Sequence, residues 1–170
     1  MRGVRINVVP LDCRMYSSTI EDVLVDVSRG LEFANPRFRI LTPRDLFGKY
    51  GKCKIDGEEY YSFLQSRYSP QTLAVVSRKL KDEPELIGLA WMDGYAIARA
   101  DSDYSGKIKS AMLARAIEHE ILHWGGLDHH EDKQYWNGKV CLMKKYISPS
   151  DSMTPCAICQ RKFSKYAKAA

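Results

Sequence analysis

The stretch from residue 119 to 129 constrains this chain more than any other part of its sequence. It reads His-Glu-Ile-Leu-His-Trp-Gly-Gly-Leu-Asp-His, an H-E-x-x-H motif extended by a glycine and a third histidine. On a helix, His119 and His123 are four residues apart, so both imidazoles lie on one face. Gly126 can take a positive φ and turn the chain, which would bring His129 back to the same point. Three neutral imidazoles there predict a zinc site with an open fourth position for water.

Glu120 lies between the first two histidines, where an H-E-x-x-H motif places a general base beside zinc. A bare H-E-x-x-H also occurs by chance in helices that bind no metal, but the extended motif is far more specific. All four histidines of the chain are clustered here, which is hard to explain by packing in a core. We predict His119, His123 and His129 as ligands of a catalytic zinc, and Glu120 as the catalytic base.

A second group of metal-binding side chains follows directly. It consists of His130, Cys141, Cys156 and Cys159, the last two in a C-x-x-C pair. A C-x-x-C turn orients two thiolates towards one ion, and the other two residues complete a tetrahedral Cys₃His set, which is typical of structural zinc. Such an ion would stabilise a C-terminal segment with little hydrophobic core of its own. The sequence therefore predicts two zinc ions per chain, one catalytic and one structural.

Alternatives remain open for this second cluster. The thiols could be buried without metal, or be redox-active. Asp128, Glu131 or Asp132 could replace His130 as the fourth ligand, or the site could hold three sulfurs and a water. A disulfide framework is not expected, because the five cysteines are odd in number and the N-terminus lacks the pattern of a signal peptide.

Length and composition narrow the class of protein. The chain has 170 residues, enough for one domain with a proper core, and the composition of an ordinary soluble globular protein. It contains no apolar run long enough to span a bilayer, so we expect a cytoplasmic protein without a membrane partner. The net charge of +5 is modest, and the basic C-terminal tail favours a solvated face over a nucleic-acid surface.

Hydrophobic periodicity predicts the order β-α-β-α-β, then a hairpin and a long helix. Strands are predicted at about 3–10, 38–41, 72–77, 86–91 and 95–100, and helices at about 18–30, 58–67, from 107 and from 157. This order implies parallel strands with crossovers and an antiparallel hairpin at or near an edge. We predict a single α+β domain over residues 1–170 with a mixed sheet of about five strands. Its upper part would span about 1–126 and its zinc-stapled C-terminal part about 127–170.

Two groups of residues resemble one known family, the archaemetzincins, which are metzincin-type zinc metallopeptidases with a second, four-cysteine zinc site. These residues are His119, Glu120, His123, Gly126 and His129, followed by Cys141-x-Met143 and Cys156-x-x-Cys159. The family has a cysteine directly after the third histidine, where this chain has His130, and its next cysteine comes sooner than Cys141. The resemblance implies a metzincin-like fold and Met143 as the Met-turn residue beneath the catalytic zinc, with Met153 as the other candidate.

The resemblance also implies a reaction, the hydrolysis of peptide bonds in a peptide or protein substrate. Zinc would activate a water, and Glu120 would take its proton and pass it to the leaving amine. The family-like order of elements places an extended substrate along the hairpin edge at residues 86–91. A tyrosine such as Tyr146 is a candidate for stabilising the oxyanion.

A second resemblance competes with the first. The pattern from His119 to His129 is also similar to the YbeY-type rRNA maturation factors, single-domain three-histidine zinc proteins proposed to be endoribonucleases. Those proteins have glycine in place of Glu120 and lack the downstream cysteines, so we favour the peptidase. A zinc endoribonuclease is the second hypothesis, and a non-catalytic zinc-stapled binding module is the third.

Overall fold

A five-stranded mixed sheet forms the centre of the computed structural model, which describes residues 3–11, 17–42, 56–100, 106–130, 135–136, 139–145 and 153–169. The strands are β1 Arg5–Pro10, β2 Arg37–Ile40, β3 Thr72–Val76, β4 Gly88–Trp91 and β5 Tyr95–Arg99. They are ordered β2-β1-β3-β5-β4. The first four in this order run parallel, and β4 pairs antiparallel with β5 at one edge. The predicted mixed sheet with an antiparallel edge strand is therefore confirmed.

Four α-helices in the described part of the chain cover both faces of this sheet. They are α1 Ser17–Gly30, α2 Gly57–Arg67, α3 Gly106–Trp124 and α4 Ala157–Ala169. Residues of α1, α3 and α4 share one core with one face of the sheet, whereas α2 covers the other face. A capping box starts α2, because the Asp56 carboxylate accepts the Glu59 N–H at 2.8 Å and the Glu59 carboxylate accepts the Asp56 N–H at 3.1 Å.

The continuous apolar run of β3 is explained by its place in the middle of the sheet. All five of its residues are buried, because helices cover both faces and a strand lies on either side. The single polar residue in this strand, Thr72, donates its hydroxyl to the Ser69 carbonyl at 2.6 Å. The apolar run in the sequence thus corresponds to the strand that is buried on both faces.

The C-terminal part carries a second, three-stranded sheet that the periodicity did not predict. Its strands are β6 Tyr135–Trp136, β7 Lys139–Cys141 and β8 Met153–Thr154. Strands of two or three residues are too short to show an alternating pattern. Helix α4 then packs back on the main body through Phe163, whose ring lies 6.3 Å edge-on from the ring of Phe33. Among the described residues, no helix is both long and apolar enough to cross a bilayer.

We expect Phe163→Ala to lower the free energy of unfolding by about 3–5 kcal/mol, because the ring is fully buried and its loss leaves a cavity. Urea unfolding in excess zinc measures this change. Ile158→Ala is the matched control, since Ile158 is on the same helix but 46% exposed. A loss for Phe163→Ala no larger than that of the control would contradict this account of how α4 is anchored.

Candidate metal centres

The C-terminal half of α3 presents the first two histidines, and a glycine turn returns the third. His119 and His123 lie one helical turn apart on α3, which ends at Trp124. The Gly126 N–H then donates to the His123 carbonyl at 2.9 Å, and Gly126 takes a φ of 69°. This left-handed conformation is easy only for glycine. The chain therefore reverses after the helix, and His129 comes back to face it.

The three imidazoles converge through their Nε2 atoms. The Nε2 of His119 lies 3.0 Å from that of His129 and 3.1 Å from that of His123. Zn–N bonds of about 2.0–2.1 Å at tetrahedral angles would separate ligand nitrogens by about 3.3 Å. The three nitrogens are thus close to the spacing that a single zinc ion requires.

The other ring nitrogens are held by backbone carbonyls. His119 Nδ1 lies 2.8 Å from the Leu142 oxygen, and His123 Nδ1 lies 2.6 Å from the Leu127 oxygen. Because a carbonyl oxygen can only accept, each Nδ1 carries the proton and each Nε2 keeps a free lone pair. This is the arrangement that orients histidines around a metal.

Burial keeps the imidazoles neutral. It lowers the pKa of His119 to about 3, although the hydrogen bond to Leu142 acts in the opposite direction. Burial also lowers the pKa values of His123 and His129. Neutral imidazole is the form that binds a metal, so this donor set fits zinc without first losing protons.

Two buried glutamates flank His119 on α3 and face different neighbours. The Glu120 carboxyl lies against Gly88 of β4, and burial raises its pKa well above the usual range. The Glu118 carboxyl lies against Gly30 of α1, and burial raises its pKa to about 8. Of these two carboxyls, only that of Glu120 therefore lies on the side of α3 that faces the edge strand.

The second cluster forms a compact group of one imidazole and three thiols. The Cys159 sulfur lies 3.6 Å from that of Cys156 and 3.8 Å from that of Cys141, and the His130 Nε2 lies 2.8 Å from Cys159 Sγ. Zn–S bonds of about 2.3 Å at tetrahedral angles would separate sulfurs by about 3.8 Å. A disulfide would bring two sulfurs to about 2.05 Å, so these three cysteines are free.

The hydrogen bonds within this cluster favour a thiolate. A hydrogen bond with the Cys159 sulfur, together with donation from backbone N–H groups, lowers the pKa of Cys141. One of these donors is the Cys156 N–H, at 3.4 Å. A thiolate is the form that ligates zinc. The structure thus brings His130 to the three thiols, whereas Asp128 is exposed and outside the group; Glu131 and Asp132 lie outside the described residues.

One short segment joins the two clusters. Cys141 belongs to the thiol cluster, the Leu142 carbonyl accepts from His119, and the Met143 carbonyl accepts the His130 N–H at 2.8 Å. Sequence reasoning missed Leu142 and Leu127, because any residue has a carbonyl and no side-chain signal marks it. The geometry of one cluster is therefore coupled to that of the other.

The Met-turn residue stays a prediction. Met143 is fully buried and directly follows Leu142, within the segment that contacts His119. Met153 contributes its backbone to β8, where it pairs with Val140. Tyr146, the candidate for the oxyanion, lies outside the described residues.

Solved structures with a similar fold include two archaemetzincins and a zinc-dependent peptidase. The archaemetzincin of Methanopyrus kandleri matches 99% of this chain and 97% of its own length, with a TM-score of 0.70 and 18% identity. The archaemetzincin of Archaeoglobus fulgidus matches 94% and 99%, with a TM-score of 0.64 and 18% identity. This chain has the archaemetzincin fold. A zinc-dependent peptidase from Methanocorpusculum labreanum matches 94% and 99%, with a TM-score of 0.53 and 17% identity. Neither a family model nor a curated protein matches the sequence.

The metzincin-like fold that the family resemblance implied is thus confirmed. In this archaemetzincin fold, the histidine cluster and the thiol cluster are the two candidate metal sites among the described residues. At 17–18% identity, the similarity to these solved structures shows the fold and not the chemistry.

We expect Cys156→Ser to lower the zinc content from two ions per chain to one, because serine is a poor replacement for a thiolate ligand. The remaining zinc should bind about 10- to 100-fold more weakly, since the segment that supports His119 and His130 is loosened. Elemental analysis and a zinc-competition titration measure the two effects. Ile158→Ala, at an exposed position between Cys156 and Cys159 in the sequence, is the control. Retention of two zinc ions by Cys156→Ser would remove Cys156 from the second site.

Proposed function

We propose that this protein is a zinc-dependent metallopeptidase. One observation carries the proposal: three Nε2 atoms converge at zinc spacing, and Glu120, which directly follows His119, is buried against the edge strand of an archaemetzincin fold. In this proposal, His119, His123 and His129 hold the catalytic zinc and leave one position open. The solved relatives named as archaemetzincins and as a zinc-dependent peptidase agree with this reading.

The second cluster would hold a structural zinc. Four ligands, from His130 and the three buried cysteines, fill a tetrahedral site and leave no position for substrate. Its bond energy would stabilise the short strands β6 to β8, which have few residues of their own to bury. This makes two zinc ions per chain, with different roles.

In the proposed hydrolysis, zinc and Glu120 have separate roles. When bound, zinc would supply Lewis-acid chemistry, by acidifying a water and polarising the scissile carbonyl. Glu120 accepts the proton of the attacking water and delivers it to the leaving amine. Burial raises the pKa of Glu120, but a divalent cation at the neighbouring histidines would lower it again, so that the carboxylate is available as a base.

The edge strand β4 offers a place for an extended substrate. The Arg99 N–H donates to the Ile87 carbonyl at 2.7 Å, and Trp91 pairs with Tyr95, so the backbone groups of 87, 89 and 91 point towards β5. Those of Gly88 and Ala90 therefore point away from β5, towards the edge. A peptide that adds a strand there would use these groups for main-chain hydrogen bonds.

We expect Glu120→Gln to keep both zinc ions and the fold but to lose peptide hydrolysis by about 10²- to 10⁴-fold, because an amide cannot accept the proton. The measurement is kcat/KM on a peptide-library digest, with zinc stoichiometry determined alongside. Glu118→Gln is the matched control, because that carboxyl lies on the same helix but faces α1.

Two results would decide against the peptidase. One is a Glu120→Gln variant that cleaves the library as fast as the wild type. The other is a wild-type protein that cleaves structured RNA, and not peptides, in a reaction lost on His123→Ala. The second result would support the nuclease hypothesis in its place.

A further inference from the structure

Gly88 stands at the start of the edge strand, where the backbone itself does not call for glycine. Its φ is not among the positive values, which the described glycines show at Gly94, Gly106 and Gly126. Gly88 is buried, on a strand, where glycine is unfavourable because it packs no side chain. A glycine at such a position commonly marks a close approach by another group.

The group that approaches is the Glu120 carboxyl. A Cβ built on Gly88 would lie 2.3 Å from Glu120 Oε1, and 2.7 Å from both Cδ and Cγ. Real Cβ atoms do not come this close to other heavy atoms, so the carboxyl occupies the volume of a side chain at position 88. Glu120 is only 4% exposed. Any side chain at 88 must therefore displace its carboxyl.

The backbone of Gly88 also points towards the edge where a peptide would pair. The Glu120 carboxyl thus lies against the strand residue that would hold the substrate backbone. We propose that Gly88 is a positioning residue: its missing side chain lets the Glu120 carboxyl lie directly beside the substrate-binding edge of β4. This inference rests on the proposed function, because it takes Glu120 as the base.

Helix α3 carries a second buried carboxyl, that of Glu118, which provides a matched control. A Cβ built on Gly30 of α1 would lie 2.3 Å from Oε1 of Glu118 and 2.5 Å from its Cδ. Gly30→Ala therefore creates the same kind of clash with a buried carboxyl two residues from Glu120. That carboxyl faces α1 and not the edge strand. The two alanine variants separate a general loss of packing from a misplaced base.

The kinetic arm compares Gly88→Ala with Gly30→Ala in excess zinc. We expect Gly88→Ala to lower kcat about 10²-fold with a smaller change in KM, since a catalytic group displaced by about 1 Å loses that much. Both variants should bind as much zinc as the wild type, and Gly30→Ala should keep its kcat. In the Glu120→Gln background, Gly88→Ala should cause no further loss, because the base is already gone.

The thermal arm needs no activity. Gly88→Ala should lower Tm by about 2–10 °C in the wild-type background, as overpacking of this kind does. In the Glu120→Ala background the carboxyl is absent, so the new methyl group fits and the drop in Tm should disappear. An equal drop in both backgrounds would show that Gly88 and Glu120 do not compete for one volume, and it would overturn the inference.

The remaining outcomes separate a failure of the positioning role from a failure of the proposed function. If the wild type hydrolyses peptides and Gly88→Ala does so equally well, the positioning role is wrong and the proposed function stands. The same conclusion follows if Gly30→Ala loses as much kcat as Gly88→Ala. If the wild type itself hydrolyses no peptide, the proposed function fails, and the positioning role fails with it.

Discussion

The hydrogen bond between His119 and the Leu142 carbonyl is the contact on which the site depends. His119 belongs to the main body, on a helix that packs against both the sheet and α1, whereas Leu142 belongs to the C-terminal part. The 2.8 Å bond fixes the ring of His119 and also fixes where the segment 141–143 must run. Within that segment, Cys141 belongs to the thiol cluster and the Met143 carbonyl accepts the His130 N–H. His130 contacts Met143 through its backbone N–H and Cys159 through its ring. Because these contacts fix His130, they also hold its neighbour His129 in place.

Helix α3 buries two carboxyl groups next to these histidines in the sequence. A glycine on a neighbouring element leaves room for each of them. Glu118 and Glu120 are two residues apart and so point about 200° away from each other around the helix. One meets Gly30 of α1 and the other meets Gly88 of β4. Desolvation raises the pKa of each, to about 8 for Glu118. The two carboxyls are similarly buried, but only that of Glu120 lies against the edge strand.

Sequence reasoning predicted the elements that carry a periodic or chemical signal. The motif from His119 to His129 identified the residues that the structure brings together, and the apolar run 72–77 identified the central strand. The strands β6 to β8 were not predicted, because two or three residues form no pattern. The carbonyls of Leu142 and Leu127 could not be predicted, because they depend on chain path and not on residue type. Gly88 did carry a signal, a glycine within an apolar strand, but its meaning depends on which helix packs against it.

The hairpin of β4 and β5 also packs against α2 on the opposite face of the sheet. Tyr61 of α2 stacks on Trp91 of β4, with ring centroids 5.0 Å apart, and donates its hydroxyl to the Asp93 carboxylate at 2.5 Å. Leu89 packs closely on the start of the same helix, 2.9 Å from where a Cβ of Gly57 would lie. An edge strand of four residues would otherwise fray, since it has hydrogen bonds on one side only. Because α2 fixes its outer face and Glu120 abuts its inner face, β4 can offer the backbone groups of Gly88 and Ala90 in a set position. In the proposed function, an extended peptide would pair with this main chain, and a strand held from both faces would orient its scissile bond.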